Sequence, residues 1–384
     1  MYQLNPEQRK VVERAKEIAA QQIAPYASQV DSEGRFPIEA INALAEEGFL
    51  GLTVPSEFGG MGQGIRVACA VLEEIARQCP STAMIYMMHL CGIAMYQAYP
   101  QNTKEQLRAA ATGKHLSTLA WSEKGSRSNF WAPVSQEKRH SGVIEINAQK
   151  SFVTSAGHAD GYVVSTRWEN AASPIETMLY LILKQDAGVT VEGKWDALGL
   201  RGNASAPINL ERVRIDSSRA LSEEGKGLDA MLGVVLPVFQ LSGASIAIGI
   251  AEASVQATQT HLTSTRLEHQ GSKLAELPNL RATLAKMRIE TDRARAHLVS
   301  VIHAVENQQP EAQLLLLEIR ASASETAVDV TDMAMRACGG AAFSKKLGIE
   351  RYFRDARASI IMAPTPDHVL DFIGKTLCGM EVFA

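Results

Sequence analysis

The stretch 142-GVIEINAQKSFVTSAGHADGYVVSTRW-168 decides the fold class of this sequence. Its apolar residues recur with a period close to two, β-branched residues are frequent and each run is short, which is typical of half-buried strands. Runs of the same kind follow: MLYLILK at 178–184, VTVEG at 189–193 and INLERVRI at 208–215. We therefore predict a small antiparallel β-barrel or sandwich as a central domain over 116–222, with VIEINA, FVTSAG and GYVVSTRW among its strands.

The sequence on both sides of this domain has helical periodicity. Residues 1–115 predict an N-terminal helical domain, with helices over 5–30, after Pro37, over 66–78 and over 81–99. Residues 223–384 predict a C-terminal four-helix bundle, with helices over 228–266, 279–306 and 311–338 and a last helix that begins at Pro366. The predicted fold class is thus α+β and multi-domain, in the order helical domain, β domain, helical bundle.

Two helix ends carry recognisable signals. Thr365 is a plausible N-cap for the last helix, because Pro366 then takes the first helical position. Gly339 and Gly340 predict the stop of the preceding long helix. Glycines also allow close backbone approach, so the same pair could pack against the arm of a cofactor.

Composition limits the classes of function. The chain has 384 residues with 46% hydrophobic and 21% charged residues, and its net charge is −4. This balance favours neither nucleic acid nor an anionic membrane as a partner. No uninterrupted apolar run approaches the ~20 residues of a membrane span, and the charged N-terminus predicts a helix and not a signal peptide. Five scattered cysteines without a CxxC pair predict reduced thiols, a cytoplasmic protein and no zinc site.

Five motifs are distributed over nearly the whole chain: LTVPSEFGGMG at 52–62, LAWSEKGSRSN at 119–129, KSFVTSAG at 150–157, LGLRG at 198–202, and CGG at 338–340 with ERYFRDAR at 350–357. They resemble, in the same order, the VPEEYGGLG turn, the ALTEPGAGSD flavin loop, the K-x-W-I-T-N-A segment, the LGLRGS turn and the GGxGY…ERxYRDAR pair of the acyl-CoA dehydrogenase family. Five matches in order make this resemblance specific.

The resemblance implies an FAD-dependent oxidoreductase that acts on an acyl thioester carried by coenzyme A or by a carrier protein. A flavin needs hydrogen bonds at its polar edge, which hydroxyl groups and backbone N–H groups supply. The family pattern places these residues at the cofactor: Trp121, Ser122, Ser128, Phe152, Thr154, Ser155, Gly339, Gly340 and Thr365. Phe152 would lie against the ring.

The resemblance also implies partners. In the family an arginine of a neighbouring subunit holds the flavin pyrophosphate, and Arg266 is the nearest match in the irregular stretch 265–271. A homo-oligomer, a dimer or a tetramer, follows with the same expectation. An electron-transfer flavoprotein or a flavin reductase would exchange electrons with the flavin.

The catalytic carboxylate of the family is absent from both of its usual positions. Dehydrogenation needs a base that removes the proton alpha to the thioester. Most members place a glutamate shortly after RDAR, where this chain has Ala363, and a minority place it on an earlier helix, where this chain has Phe239. Neither side chain accepts a proton.

Several nearby residues are possible substitutes. His89 is the one weak candidate for the base, although a lone histidine in an apolar helix is more often a core residue with satisfied hydrogen bonds. Asp367 and His368 are expected to have only a structural or surface role in the first turn of the last helix. Glu123 is likewise expected to have a structural role. Lys124 and Arg127 either meet an anionic part of the substrate or are solvated.

Three functions remain open from the sequence. The first is acyl-thioester oxidation with an atypical base. The second is a reduced-flavin monooxygenase or oxidase on the same fold, which would not need the glutamate. The third is a non-catalytic flavin-binding homologue. Fold alone does not choose among them.

Overall fold

The N-terminal part of the chain is helical, as predicted, and it begins with a capped helix. This computed structural model describes residues 2–126 and 129–382. The side chain of Asn5 accepts a hydrogen bond from the backbone N–H of Gln8, and the side chain of Gln8 accepts one from the backbone N–H of Asn5, which satisfies two N–H groups at the helix start. The helices are α1 Pro6–Ile18, α2 Ala24–Glu33, α3 Ile38–Glu46, α4 Ile65–Gln78, α5 Pro80–Ala98 and α6 Pro100–Ala111. α1 and α2 are joined by one π-helical segment, Ala19–Ile23.

The central part forms two sheets packed face to face. Its strands are β1 Ser117–Ala120, β2 Lys138–His140, β3 Val143–Lys150, β4 Gly161–Arg167, β5 Thr177–Leu183, β6 Val189–Val191 and β7 Ile208–Asp216. One sheet has the order β1-β4-β5 and the other β2-β3-β7-β6, and a shared apolar core contains residues of both. Of the two predicted forms, the described strands therefore make an open sandwich and no closed barrel.

Two details of the central domain differ from the prediction. β1 pairs with β4 in parallel, whereas the remaining strand pairs of the two sheets are antiparallel. The prediction of a strand at FVTSAG was wrong, because residues 152–157 form a series of turns after β3. Phe152 and Ser155 have φ values of 56° and 61°, in the left-handed region that a regular strand excludes. The β-branched residues of this segment therefore lie in turns and not in a hydrogen-bonded strand.

The C-terminal part is a helical bundle, as predicted. Its elements are α7 Gly227–Ala230, α8 Leu236–Ser264, β8 Arg266–Leu267, β9 Ser272–Lys273, α9 Pro278–Glu306, α10 Ala312–Cys338, α11 Gly340–Phe343, α12 Ile349–Ala356, α13 Ala358–Ile361 and α14 Pro366–Leu377. A π-helical segment, Met231–Val235, connects α7 to α8. The first long helix ends two residues before its predicted end, so Arg266 lies in a two-stranded hairpin.

The segment from α7 to the end of α8 is apolar and long. By length and hydropathy alone Gly227–Ser264 could cross a membrane, but 78% of its most apolar window is buried inside the protein. A buried core helix passes the same test, so this feature is weak evidence for a membrane span. The expectation from uninterrupted apolar runs overlooked it because polar residues such as Gln240 and Ser242 interrupt the run.

The LGLRG turn joins all three parts of the chain. The guanidinium of Arg354 in α12 forms a salt bridge with Asp31 of α2 at 2.6 Å and donates to the carbonyl oxygen of Leu198 at 3.0 Å. A Cβ on Gly199 would lie 2.4 Å from the carbonyl oxygen of Arg354, so only glycine allows this approach. The backbone N–H of Leu200 donates to the Asp355 carboxylate at 2.6 Å.

Candidate functional site

A cavity of about 630 Å³ lies where the three parts of the chain meet. Its wall is formed by α5, the end of β1, the turns after β3, the LGLRG turn, the start of α8 and the segment from α12 to residue 364. Apolar side chains predominate, which is typical of a small-molecule or cofactor site.

Four of the predicted cofactor residues are brought together here: Trp121, Ser122, Phe152 and Thr154 line the cavity. Phe152 is 68% exposed, which is unusual for a large aromatic residue. Its ring meets the edge of Trp195 at a centroid distance of 6.4 Å. The left-handed backbone of Phe152 turns the aromatic ring into the cavity mouth, so the site offers an aromatic surface for a planar ring.

Buried polar atoms without partners surround this aromatic surface. The indole Nε1 of Trp121 and the Oδ1 of Asn203 belong to cavity-lining residues, and neither has a hydrogen-bond partner among the described residues. Ser155 lies behind the wall, buried, and its hydroxyl is also unpaired in the described part of the chain. Unpaired buried polar groups are costly, so they indicate a bound molecule with donors and acceptors. A flavin ring has both kinds of group along its polar edge, and these residues fit it.

Glu123 is the one carboxylate among the described residues that line the cavity. Lys150 donates to its Oε1 at 2.6 Å, and the backbone N–H groups of Val134 and Ser135 donate to its Oε2 at 2.7 Å each. Burial alone would raise the pKa of Glu123, but the charge and hydrogen bond of Lys150 outweigh it and lower that pKa. Glu123 is therefore an ion-paired structural anion, as the sequence predicted, and a poor proton acceptor.

The inner wall contains both positions at which the family keeps its base. Phe239, Met362, Ala363 and Pro364 line this part of the cavity. None of these side chains titrates. The carboxylate that is missing from both family positions in the sequence is therefore not replaced by another of these four side chains.

His89 lies outside the cavity lining. It is fully buried in α5, its Nε2 is 2.7 Å from the carbonyl oxygen of Leu50, and its Nδ1 accepts from the N–H of Ser117 at 3.1 Å. These partners assign the neutral tautomer with the proton on Nε2. Burial lowers the pKa of His89 to about 4. Both nitrogens are occupied, so the residue fits the core role that the sequence weighed against a base.

The other predicted residues are not gathered at the cavity. Arg266 is exposed in the β8–β9 hairpin, and Gly339 and Gly340 are exposed where α10 ends, with Gly339 at a positive φ of 55°. Thr365 takes the predicted N-cap position of α14, but no side-chain capping bond forms, and its hydroxyl lies 3.3 Å from Nδ1 of His368. These residues are open to a second molecule.

The remaining candidates divide in a simple way. Lys124 lines the cavity and is exposed, whereas Asp367 is exposed in the first turn of α14. Ser128 and Arg127 lie outside the described residues. Among residues 2–126 and 129–382 no group of three or more His, Cys, Asp or Glu could hold a metal ion.

The cavity-lining residues that the sequence reasoning missed include Trp195, Asn203 and Arg357. Trp195 and Asn203 flank the LGLRG motif, so a wider window around that motif could have found them. Arg357 ends the ERYFRDAR motif; it forms no salt bridge in the described chain and donates to the Thr331 hydroxyl at 2.9 Å.

Comparisons with known proteins identify one family over most of the chain. The acyl-CoA dehydrogenase N-terminal domain profile matches residues 5–114, the middle domain 118–213 and the C-terminal domain 225–377. The chain belongs to the acyl-CoA dehydrogenase family. Family membership makes it a flavoprotein oxidoreductase that binds FAD.

Curated members of the acyl-CoA dehydrogenase family match over almost the full length. A probable acyl-CoA dehydrogenase, FadE25, of Mycobacterium tuberculosis is 27% identical over 95% of this chain and 94% of its own length. Probable acyl-CoA dehydrogenase YngJ of Bacillus subtilis is 28% identical over 93% and 94%. The cyclohex-1-ene-1-carbonyl-CoA dehydrogenase of Geobacter metallireducens is 26% identical over 98% and 99%.

Solved structures share the fold at lower identity. Butyryl-CoA dehydrogenase from Megasphaera elsdenii has a TM-score of 0.92 at 21% identity, covering 98% of this chain and 99% of its own. The prolyl acyl carrier protein oxidase AnaB has a TM-score of 0.89 at 20% identity, over 97% and 99%. The acyl-CoA dehydrogenase fold is thus shown for this chain.

Proposed function

We propose that this family member oxidises the acyl group of a thioester, carried on coenzyme A or on an acyl carrier protein, with FAD seated in the cavity. The flavin would supply the hydride acceptor. The observation that carries the proposal is the apolar cavity with unpaired polar atoms at Trp121 and Asn203, since this combination suits a flavin beside an acyl chain. The relatives named as CoA dehydrogenases and as an acyl carrier protein oxidase support both carriers.

Each predicted cofactor residue has a role in this proposal. Phe152 would lie against the flavin ring, and Ser122, Thr154 and Ser155 would bond its polar edge, with Ser128 in the same loop. Thr154 already shares a hydrogen bond with Ser205 at 3.0 Å, which holds its hydroxyl at the wall.

Residues outside the cavity would serve a neighbouring copy of the chain. We propose that Arg266, Gly339, Gly340 and Thr365 meet the pyrophosphate or adenosine arm of a flavin across a dimer or tetramer interface. Their exposure or half-exposure supports this role.

Proton removal is the unusual part of this proposal. With Ala363 and Phe239 at the inner wall and Glu123 held by Lys150, no lining carboxylate of the described chain is available as a base. Oxidation therefore requires an atypical or relocated base to take the alpha proton, because neither family position offers a carboxylate. We expect flavin reduction to be slow compared with that in members that keep the glutamate.

A second candidate function follows from the same wall. A reduced-flavin monooxygenase or oxidase needs no carboxylate at positions 363 or 239, so the apolar inner wall favours oxygen chemistry as the alternative. A flavin reductase would then be the partner in place of an electron-transfer flavoprotein.

One experiment separates the two functions. The FAD-loaded protein is titrated without oxygen with a panel of acyl thioesters, and flavin absorbance is followed. Bleaching by any of them supports thioester oxidation. If the flavin stays oxidised with all of them, and the protein turns over with oxygen once its flavin is reduced by an external reductant, the monooxygenase function replaces thioester oxidation.

We also propose a cytoplasmic, homo-oligomeric protein. The cysteines support a reducing compartment, since all five are free thiols and four are buried. Exposed apolar residues in the last helix, Leu370 and Leu377, support a covered surface in an oligomer. Size measurement in solution tests the oligomer.

A further inference from the structure

Arg320 is a buried cation without an anionic partner. It lies in the middle of α10, is 1% exposed, and has no salt bridge to any residue within 2–126 or 129–382. Its Nη2 donates to the carbonyl oxygen of Met362 at 3.0 Å, and its Nε has no partner in that part of the chain. Burial lowers the pKa of Arg320 to about 10, so the group keeps its charge at neutral pH. A buried charge without a counter-ion is costly, which suggests that an anion is supplied from outside.

The guanidinium lies directly behind the inner wall of the cavity. Its Cζ is 6.0 Å from the centroid of the Phe239 ring, and its one acceptor among the described residues is the backbone of Met362. Both residues line the cavity. The charge is therefore one side chain away from the positions where the family keeps its carboxylate. The buried surroundings have a low effective dielectric constant and screen this charge weakly.

Gln240 adds a second unsatisfied group beside the same wall. It follows Phe239 in α8, is fully buried, and neither its Nε2 nor its Oε1 has a partner among the described residues. The next turn of α8 meets Arg320, because a Cβ on Gly243 would lie 3.4 Å from its Nη1. A guanidinium and an amide N–H are donors of the kind that recognise a carboxylate.

The other charged residues that line the cavity divide into compensated and uncompensated groups. Glu123 is neutralised by Lys150, and Arg354 by Asp31 and Glu350. Arg357 lines the cavity without a salt bridge in the described chain, as does the exposed Lys124. The uncompensated charge at the cavity is therefore positive.

We propose that the acyl group bound in the cavity ends in a carboxylate, held against the inner wall by the charge of Arg320, so that the substrate is a monothioester of a dicarboxylic acid. This inference rests on the proposed thioester oxidation and specifies its substrate class.

The test compares two pantetheine thioesters of equal length, since coenzyme A and acyl carrier proteins both end in pantetheine. One carries a dicarboxylic acid and the other the matching unbranched monocarboxylic acid. Calorimetry on the FAD-loaded protein gives both dissociation constants, and absorbance gives flavin reduction. We expect the dicarboxylic thioester to bind at least ~10-fold more tightly. Equal binding, tighter binding of the monocarboxylic thioester, or no binding of either would overturn the proposal.

Variants locate the source of the preference. Arg320→Met removes the charge and should abolish the preference, whereas Arg320→Lys should keep part of it. Arg293→Met, a charge loss at an exposed site on α9, is the matched control and should leave it unchanged. A preference that survives Arg320→Met but is lost in Arg357→Met would contradict the role of Arg320. If Arg320→Met does not fold, the lysine variant and the wild-type comparison decide.

The two proposals fail in different ways. If the dicarboxylic thioester binds more tightly but leaves the flavin oxidised, the proposal of thioester oxidation is wrong, whereas the proposed ligand class stands. A monocarboxylic thioester that binds equally well and reduces the flavin would end only the inference about Arg320.

Discussion

The ammonium group of Lys150 lies 2.6 Å from Oε1 of Glu123, and both side chains are buried beside the cavity. Removing one member of a buried ion pair leaves an uncompensated charge. We expect Lys150→Met to lower the free energy of unfolding by about 3–5 kcal/mol, as measured by urea denaturation at fixed FAD concentration. The double variant Glu123→Gln with Lys150→Met should recover part of that loss. A double variant less stable than Lys150→Met would show that the ion pair is not the cause.

A carboxylate at position 363 should restore proton abstraction. Ala363 lines the inner wall, so we expect a glutamate at this position to reach the cavity. For Ala363→Glu we expect flavin reduction by an acyl thioester to be ~100-fold faster than in the wild type, because a positioned base contributes about that much. Stopped-flow absorbance without oxygen measures the rate. Ala358→Glu, a carboxylate elsewhere on the same lining, is the control; an equal gain there would refute the role of position 363.

The indole N–H of Trp121 should contribute to FAD affinity. It is buried at the cavity without a partner in the described chain, so a bound flavin would satisfy it. Trp121→Phe should weaken FAD binding about 5-fold, the effect of a hydrogen bond worth roughly 1 kcal/mol. Fluorescence titration of the apoprotein measures it. Trp168→Phe is the control, because it removes another buried indole N–H that has no partner among the described residues and whose side chain does not line the cavity. Equal losses in both variants would argue against a specific contact.

His89 should make the protein sensitive to acid. Burial depresses its pKa from 6.5 to about 4, so the unfolded chain takes up a proton at higher pH than the folded protein does. Its contribution is therefore fully present above pH ~6.5, falls as the pH drops and is lost below pH ~4. The loss amounts to about 3 kcal/mol.

His89→Gln tests this contribution. Unfolding free energies measured from pH 7 to pH 4 should fall less steeply for this variant than for the wild type. His140→Gln, at an exposed position, should retain the wild-type slope. An unchanged slope in His89→Gln would assign the acid sensitivity to another group, such as the buried His115, whose pKa burial also lowers to about 4.

Local sequence patterns predicted the order of domains, the long helices and five strands of the sandwich. These elements are encoded by the spacing of apolar residues and by turn residues that are close together in the sequence. They failed at FVTSAG, where β-branched Val153 and Thr154 suggest a strand. The left-handed backbone at Phe152 and Ser155 depends on contacts with distant residues; the N–H of Ser155, for example, donates to the carbonyl oxygen of Asn203 at 2.9 Å. No local pattern encodes such a contact.

The candidate site was predictable only in part for the same reason. The motif series found Trp121, Phe152 and Thr154, and the motif spacing identified Ala363 and Phe239 as empty positions. Arg320 had no motif to mark it. Its significance appears only when α10, α8 and the segment at Met362 are brought together in space and no carboxylate of the described chain forms a salt bridge with it.

The attachment of the LGLRG turn to Arg354 and Asp31 has a consequence for protein engineering. The cavity has walls from all three parts of the chain, and this one guanidinium ties the central part to the first and last. Exchanging a single domain with a relative would therefore transplant an incomplete pocket. Substrate preference in this fold therefore depends on the whole chain. A chimaera designed to change that preference has to exchange the contacts between the domains together with the domains themselves.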